Sequence, residues 1–298
     1  MKKAYLLFSL LLVASMLLAG CQPAVPKDLG TEANPIVWVL VPSGEVDRIT
    51  TGANAVADLI FQETGLVVEP LVATDYTAAI EAMCSKPPKA WMGSLATFAY
   101  ITAADRGCAE AELVSVRRGS TSYTAQIFAN VNSGITSLAD LSGKTFCAVE
   151  PTSTSGWIIP SIMIKAAGVD IENDLTVTYA GSHDAAVTGV YNGDCDAGAS
   201  YVDARTRIEE TYPDVMDVIE VIEISIGIPN DGLQYAPSFP RDMRDQINAA
   251  LLAIQETEEG KAALSEAYQW DSLELHDDTF YDPFRQLLDA AGVSAEDL

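Results

Sequence analysis

The segment from Val149 to Pro160, Val-Glu-Pro-Thr-Ser-Thr-Ser-Gly-Trp-Ile-Ile-Pro, gathers hydroxyl side chains where a strand gives way to a helix. Residues from Lys144 read as that strand, and a helical pattern continues to about Ala167 before Gly168. Ser153, Thr154 and Ser155 therefore fall at a helix N-terminus, where backbone N–H groups lack intrahelical acceptors and the dipole favours negative charge. Their hydroxyls add uncharged donors that rotate to suit a tetrahedral oxyanion. Ordinary N-capping asks for the same residue types, so capping and anion binding both remain open. Pro160 suits the first turn, where its missing N–H matters little.

A second such junction is Gly181-Ser182-His183-Asp184-Ala185, after the strand Leu175–Tyr179 and before a helix that closes at Gly193. The His183 imidazole can donate to an oxyanion, with Asp184 orienting it or capping the helix. The plain alternative is a Ser182 cap with an exposed His183. Asp203 follows Ser200-Tyr201-Val202, and Asp231 sits in Pro229-Asn230-Asp231-Gly232. Either carboxylate can accept a hydrogen bond from a protonated ligand or an ammonium, and either suits a turn. Tyr76, Tyr123 and Trp157 can wall a pocket or pack a core.

Positioning these residues needs strands that end together. Short β-branched or alternating runs are expected as strands at 36–41, 67–72, 90–93, 113–117, 125–130, 145–149, 175–179 and 196–200. Helices are expected at 46–63, 76–83, 96–105 and 185–192, with one long helical region at 241–268. This alternation indicates an α/β fold with mainly parallel sheets. Two extended crossings, near Ser133 and at the β-branched run Val218–Ile228, suggest an inserted α/β unit and a hinge. The expected lobes are 35–124 with 233–298, and 125–232. Ligand sites in such sheets lie beyond the carboxyl ends of strands, so the cleft between the lobes is the expected site.

The first twenty residues read as an address. Lys2 and Lys3 precede an apolar run from Ala4 to Ala19, which ends in Leu18-Ala19-Gly20-Cys21. That pattern resembles a bacterial lipobox, with cleavage before Cys21 and a lipid on its thiol; an ordinary secretory signal is the alternative. Residues 21–34 suit a tether. Cys84, Cys108, Cys147 and Cys195 are then an even set in an oxidising compartment, and Cys84–Cys108 with Cys147–Cys195 keeps each pair in one lobe. No CxxC spacing supports a metal site. The net charge of −25 disfavours nucleic acid as a partner and any long-range gathering of anions.

Taken together, the motifs Asn132-Ser133-Gly134-Ile135, Asp140-Leu141-Ser142-Gly143-Lys144, Ser153-Thr154-Ser155-Gly156, Gly181-Ser182-His183-Asp184 and Ile228-Pro229-Asn230-Asp231 resemble the PhnD-like phosphate, phosphite and phosphonate-binding proteins of ABC transporters. The resemblance runs from about Val37 to Leu288. It implies a bilobal type II periplasmic-binding-protein fold that closes on its ligand, without cofactor, metal or catalysis. Ser153, Thr154, Ser155 and His183 would grip the oxyanion, and Tyr76 and Tyr123 would contact it from the other lobe. Asp203 and Asp231 would face the ammonium of an aminoalkylphosphonate, or discriminate against sulfate. Trp157 replaces a smaller or phenolic residue, which leaves the room for an organic substituent open. Such a site can hold a dianion without Arg or Lys. The implied partners are a permease and its ATPase, with the chain a monomer anchored to the membrane through Cys21 and located outside the cytoplasm. A receptor for another oxyanion such as an organic sulfonate, a secreted phosphoester hydrolase and a sensor lipoprotein are the alternatives.

Overall fold

Strands rich in Val, Ile, Leu and aromatic residues, separated by helices with one apolar face, assemble into two sheets in the computed structural model, which describes residues 25–293. The expected leader and Cys21 lie outside the described residues. In the first sheet, β1 (Ile36–Leu40) pairs in parallel with β2 (Val68–Val72) and β3 (Met92–Ser94). The crossovers are α1 (Val46–Thr64) and α2 (Tyr76–Cys84). Ile36, Trp38, Val39 and Leu40 of β1 are all buried, as a parallel strand covered on both faces requires. After α3 (Thr97–Asp105), β4 (Glu110–Val116) pairs antiparallel with two strands from far along the chain, β10 (Gly232–Tyr235) and β11 (Ser272–Leu275). The order is β11-β4-β10-β3-β1-β2.

The second sheet has the order β7-β6-β8-β5-β9. Its strands are β5 (Ser122–Asn130), β6 (Lys144–Ala148), β7 (Leu175–Tyr179), β8 (Ala197–Tyr201) and β9 (Ile219–Pro229). Its helices are α4 (Ile159–Ala166), α5 (Ile171–Asp174), α6 (His183–Asn192) and α7 (Val215–Val218). The chain passes between sheets twice, from β4 to β5 and from β9 to β10, and the two passages lie side by side. Asn230 joins them: its Nδ2 donates to the carbonyls of Ser115 (2.7 Å) and Ser120 (2.9 Å), and its backbone N–H to Thr121 O (2.8 Å). The first passage is thus at 117–121, not near Ser133, whose turn lies wholly within the second lobe.

Two further expectations change. The helical region expected at 241–268 is two helices, α8 (Arg241–Ile254) and α9 (Glu258–Tyr268), before the terminal α10 (Asp282–Ala290). Thr257 interrupts the run because its hydroxyl caps the second helix by accepting from Gly260 N (3.0 Å). The described part of the stretch read as tether, residues 25–34, packs on the first lobe. Leu29 is buried in the core, and the Gly30 carbonyl accepts from Val67 N (2.8 Å), because an apolar side chain and a turn allow the strand to dock early.

Disulfides Cys84–Cys108 and Cys147–Cys195 each close a loop within one lobe. Reduction is expected to lower stability by about 2–4 kcal/mol per bridge. Thermal unfolding with and without reductant measures this, and peptide mapping that finds these four cysteines as free thiols in the oxidised protein overturns it.

Candidate functional site

The loops at the carboxyl ends of β1, β6 and β8 converge with the two passages on a cavity of about 520 Å³ between the lobes. Tyr76, Tyr123, Ser155, His183 and Asp231 line it. β6 delivers the hydroxyl segment, which enters α4 through a single π-helical turn at Thr154–Ile158. An added Cβ on Gly156 would overlap the Val149 side chain, so only glycine allows the turn to sit this close to the strand end. Among the described residues, the backbone N–H groups of Thr154 and Ser155 make no hydrogen bond, which leaves them free at a helix start.

The three hydroxyls divide their work. Ser153 caps the turn, its Oγ accepting from Gly156 N (3.3 Å). Thr154 Oγ1 accepts from Phe98 N (2.8 Å), at the N-terminus of α3 in the other lobe. It is therefore an interlobe latch, and neither it nor Ser153 lines the cavity. Ser155 is buried and faces the cavity. Capping and anion presentation coexist because adjacent hydroxyls at a helix start point different ways.

His183 opens α6, capped by Ser182, whose Oγ accepts from Ala185 N (3.2 Å). Its Nδ1 lies 2.7 Å from Ser200 Oγ, and its ring stands edge-on to Tyr201 at 4.7 Å. Its backbone N–H donates across the cleft to Ser43 O (3.1 Å). Burial, helped by the charge of Arg117, pushes the imidazole down from 6.5 to about 3, so it is neutral at physiological pH. Burial pushes the Tyr76 and Tyr123 phenols up, with hydrogen bonds involving Ser153 and Ser155 respectively opposing part of the rise. All of these donors are uncharged.

The acidic residues behave differently from expectation. Asp203 does not line the cavity. Burial alone would raise its carboxyl, but hydrogen bonds from Arg205 (2.7 and 2.9 Å) and Gln126 (3.2 Å), with the Arg205 charge, hold it below its ordinary value. An Asp so engaged, outside the cavity lining, is held by Arg205 and Gln126 and not by a ligand there. Asp231 does line the cavity, but its Oδ1 is bound by Arg117 Nη1 (2.5 Å) and Ser115 Oγ (3.1 Å). Trp157 packs against Phe146 and Tyr179 inside the second lobe and walls nothing.

Sequence reasoning missed the cations. Arg48, Arg117, Arg118 and Arg207 line the cavity against Asp231 and Asp271, so its wall is net positive although the chain is strongly acidic. These arginines come from α1, the first passage and the turn after β8, and no local spacing links them.

A family model for the ABC transporter, phosphonate, periplasmic substrate-binding protein matches residues 38–281. The chain belongs to this family. The Phosphate-import protein PhnD of Mycolicibacterium smegmatis is 28% identical over 207 residues, which is 65% of this chain and 63% of that protein. The Phosphonates-binding periplasmic protein of Escherichia coli is 27% identical over 231 residues, covering 76% of this chain and 68% of that one. The fold is shared with a binding protein component of an ABC phosphonate transporter from Pseudomonas aeruginosa (TM-score 0.78, 24% identity, 87% of each chain). It is also shared with a Prochlorococcus marinus protein solved in complex with methylphosphonate (TM-score 0.76, 17% identity, 87% of this chain and 99% of that one). The bilobal type II arrangement expected from the motifs is therefore the fold of this family. Among the described residues, no helix is long and apolar enough to cross a membrane.

The neutral His183 has a stability signature. Its folded value lies below the unfolded one, so as pH falls from 6.5 toward about 3 the unfolded chain takes up a proton that the folded one does not. Stability should fall in that window, with His183 adding a slope of up to about 1.4 kcal/mol per pH unit. Chemical denaturation from pH 7 to pH 4 should show a shallower loss in His183→Gln than in wild type. Parallel profiles would mean that the imidazole titrates freely.

Proposed function

We propose that the chain is the receptor of an ABC importer and holds a phosphorus oxyanion in the interlobe cavity without transforming it. The observation that carries this reading is the convergence of buried, uncharged donors, from both lobes, on one wall. Ser155 and the free N–H groups at Thr154 and Ser155 meet the anion at a helix start. His183 joins them: in the tautomer that accepts from Ser200 at Nδ1, the ring proton is on Nε2, where it can donate to the ligand. Tyr76 supplies a hydroxyl from the first lobe, whereas Tyr123, expected from that lobe too, belongs to β5 of the second and reaches the cavity from beside the first passage. Donors of this kind act at hydrogen-bond range, so the acidic surface, screened within about 8 Å at physiological salt, does not oppose them.

The interlobe contacts of Thr154 with Phe98 and of His183 with Ser43 support closure around the ligand, since each depends on the two lobes being together. Hydrolysis has less support: Ser200, the hydroxyl bonded to His183, is fully buried and cannot reach a ligand as a nucleophile. In this reading Cys21 carries a lipid that holds the receptor outside the cell membrane, and the closed form delivers its ligand to a permease driven by an ATPase.

Ser155→Ala and His183→Ala should each weaken methylphosphonate binding by about 1–3 kcal/mol, the cost of an unmade buried hydrogen bond. Titration calorimetry measures it, and unchanged affinity in both variants moves the site elsewhere. Ligand should also compact the protein in small-angle scattering; an unchanged radius of gyration argues against hinged closure.

A further inference from the structure

The hydroxyl wall needs only part of the cavity. A volume of about 520 Å³ is far more than a bare tetrahedral oxyanion fills, and lies in the range of pockets that hold whole organic ligands. What lines the remainder decides the chemistry of the substituent. An ammonium group would need a free carboxylate. Asp203 is turned away and bound by Arg205, Asp231 holds the guanidinium of Arg117 through Oδ1, and Asp271 stands beside Arg118, whose backbone N–H it accepts (2.5 Å). A cationic substituent approaching Asp231 would meet that guanidinium first.

Elsewhere the wall carries arginines set among neutral residues. Arg48 projects from α1 of the first lobe, and Arg207 from the 3-10 turn Ala204–Arg207 of the second. Arg48 donates to the Glu266 carbonyl (2.8 Å), a neutral acceptor, and forms no ion pair with any described residue within 4.0 Å. Arg207 forms no ion pair with any described residue within 4.0 Å. The nearby acid is Asp184, which lies beside Gly44 with Arg48 and forms no ion pair with either arginine among the described residues. The Arg48 guanidinium is pushed down by burial and then by the charge of Arg207. Both guanidiniums line the one cavity, from different lobes, and the Asp184 carboxylate offsets only part of their repulsion.

We propose that Arg48 and Arg207 form a second anion subsite, and that the preferred ligand is a phosphorus oxyanion carrying a carboxylate, not an aminoalkylphosphonate. The carboxylate sits between the guanidiniums, accepting from both in the forked geometry arginine favours. It replaces a repulsion between the lobes with a bridge, so the substituent contributes to closure as well as affinity. The proposal rests on the phosphorus-oxyanion reading and adds the charge of the ligand's other end.

Titration calorimetry with methylphosphonate, phosphonoacetate, 2-aminoethylphosphonate and phosphoglycolate tests it. Phosphonoacetate should bind at least about tenfold more tightly than methylphosphonate, the scale of one charge-assisted hydrogen bond. The aminoethyl compound should bind most weakly. In Arg207→Gln the phosphonoacetate-to-methylphosphonate affinity ratio should collapse toward one, and Arg207→Lys should restore part of it, which separates the subsite from a general loss of fold. Equal tightening by phosphoglycolate supports the subsite and extends the class to phosphate esters. Tightest binding of 2-aminoethylphosphonate, or an unchanged ratio in Arg207→Gln, overturns the proposal. Methylphosphonate binding without a gain for phosphonoacetate overturns the subsite alone, whereas binding of none of the four overturns the phosphorus reading and the subsite together.

Discussion

The Arg117–Asp231 ion pair stands where both chain passages meet the cavity, and much of the site depends on it. Arg117 ends the first passage's approach and Asp231 ends the second's, so the pair ties together the segments that join the lobes. Asn230 reinforces it with hydrogen bonds to the Ser115 and Ser120 carbonyls. The same pair engages one of the two carboxylates that line the cavity, the other being Asp271. The Arg117 charge also helps keep His183 neutral. A single interaction thereby ties the hinge segments together, shapes the charge of one cavity wall and adds to the burial that keeps a donor on another neutral.

Around that pair the cavity has two electrical characters. The wall built from β6, α4 and α6 presents hydroxyls, N–H groups and a neutral imidazole, all held by packing before any ligand arrives. Preorganised neutral donors bind an anion without a full charge having to be stripped of water, and so avoid most of the desolvation cost of a buried cation. The opposite side carries guanidiniums that stay partly hydrated and keep their charge. An acidic chain can therefore hold a positive pocket, because a cavity responds to the few charges that line it and not to the total.

The α/β alternation, most strand positions and the two junctions at Ser153 and His183 were legible in the sequence, because each depends on local periodicity and on residues a few positions apart. The break at Thr257 was not: the Ala- and Leu-rich run from Arg241 to Tyr268 has helical composition throughout, and a capping hydroxyl inside it is a weak signal. The strands β10 and β11 were missed for another reason. Both are short, and their pairing with β4 is supplied by a partner more than a hundred residues away.

For the site, the residue types at one helix start determined that an anion could be met there, and no folding was needed to see it. Which of three adjacent hydroxyls faces the cavity was decided only by packing, since Thr154 turns to the other lobe's α3 and Ser155 does not. The same holds for charge. The sequence alone determined a strongly acidic chain and placed Asp203 and Asp231 at strand ends. Only the tertiary structure decided that both are paired with arginine and that Arg48, Arg117, Arg118 and Arg207 share one cavity, because the sign of a pocket depends on distances that residue counts do not contain.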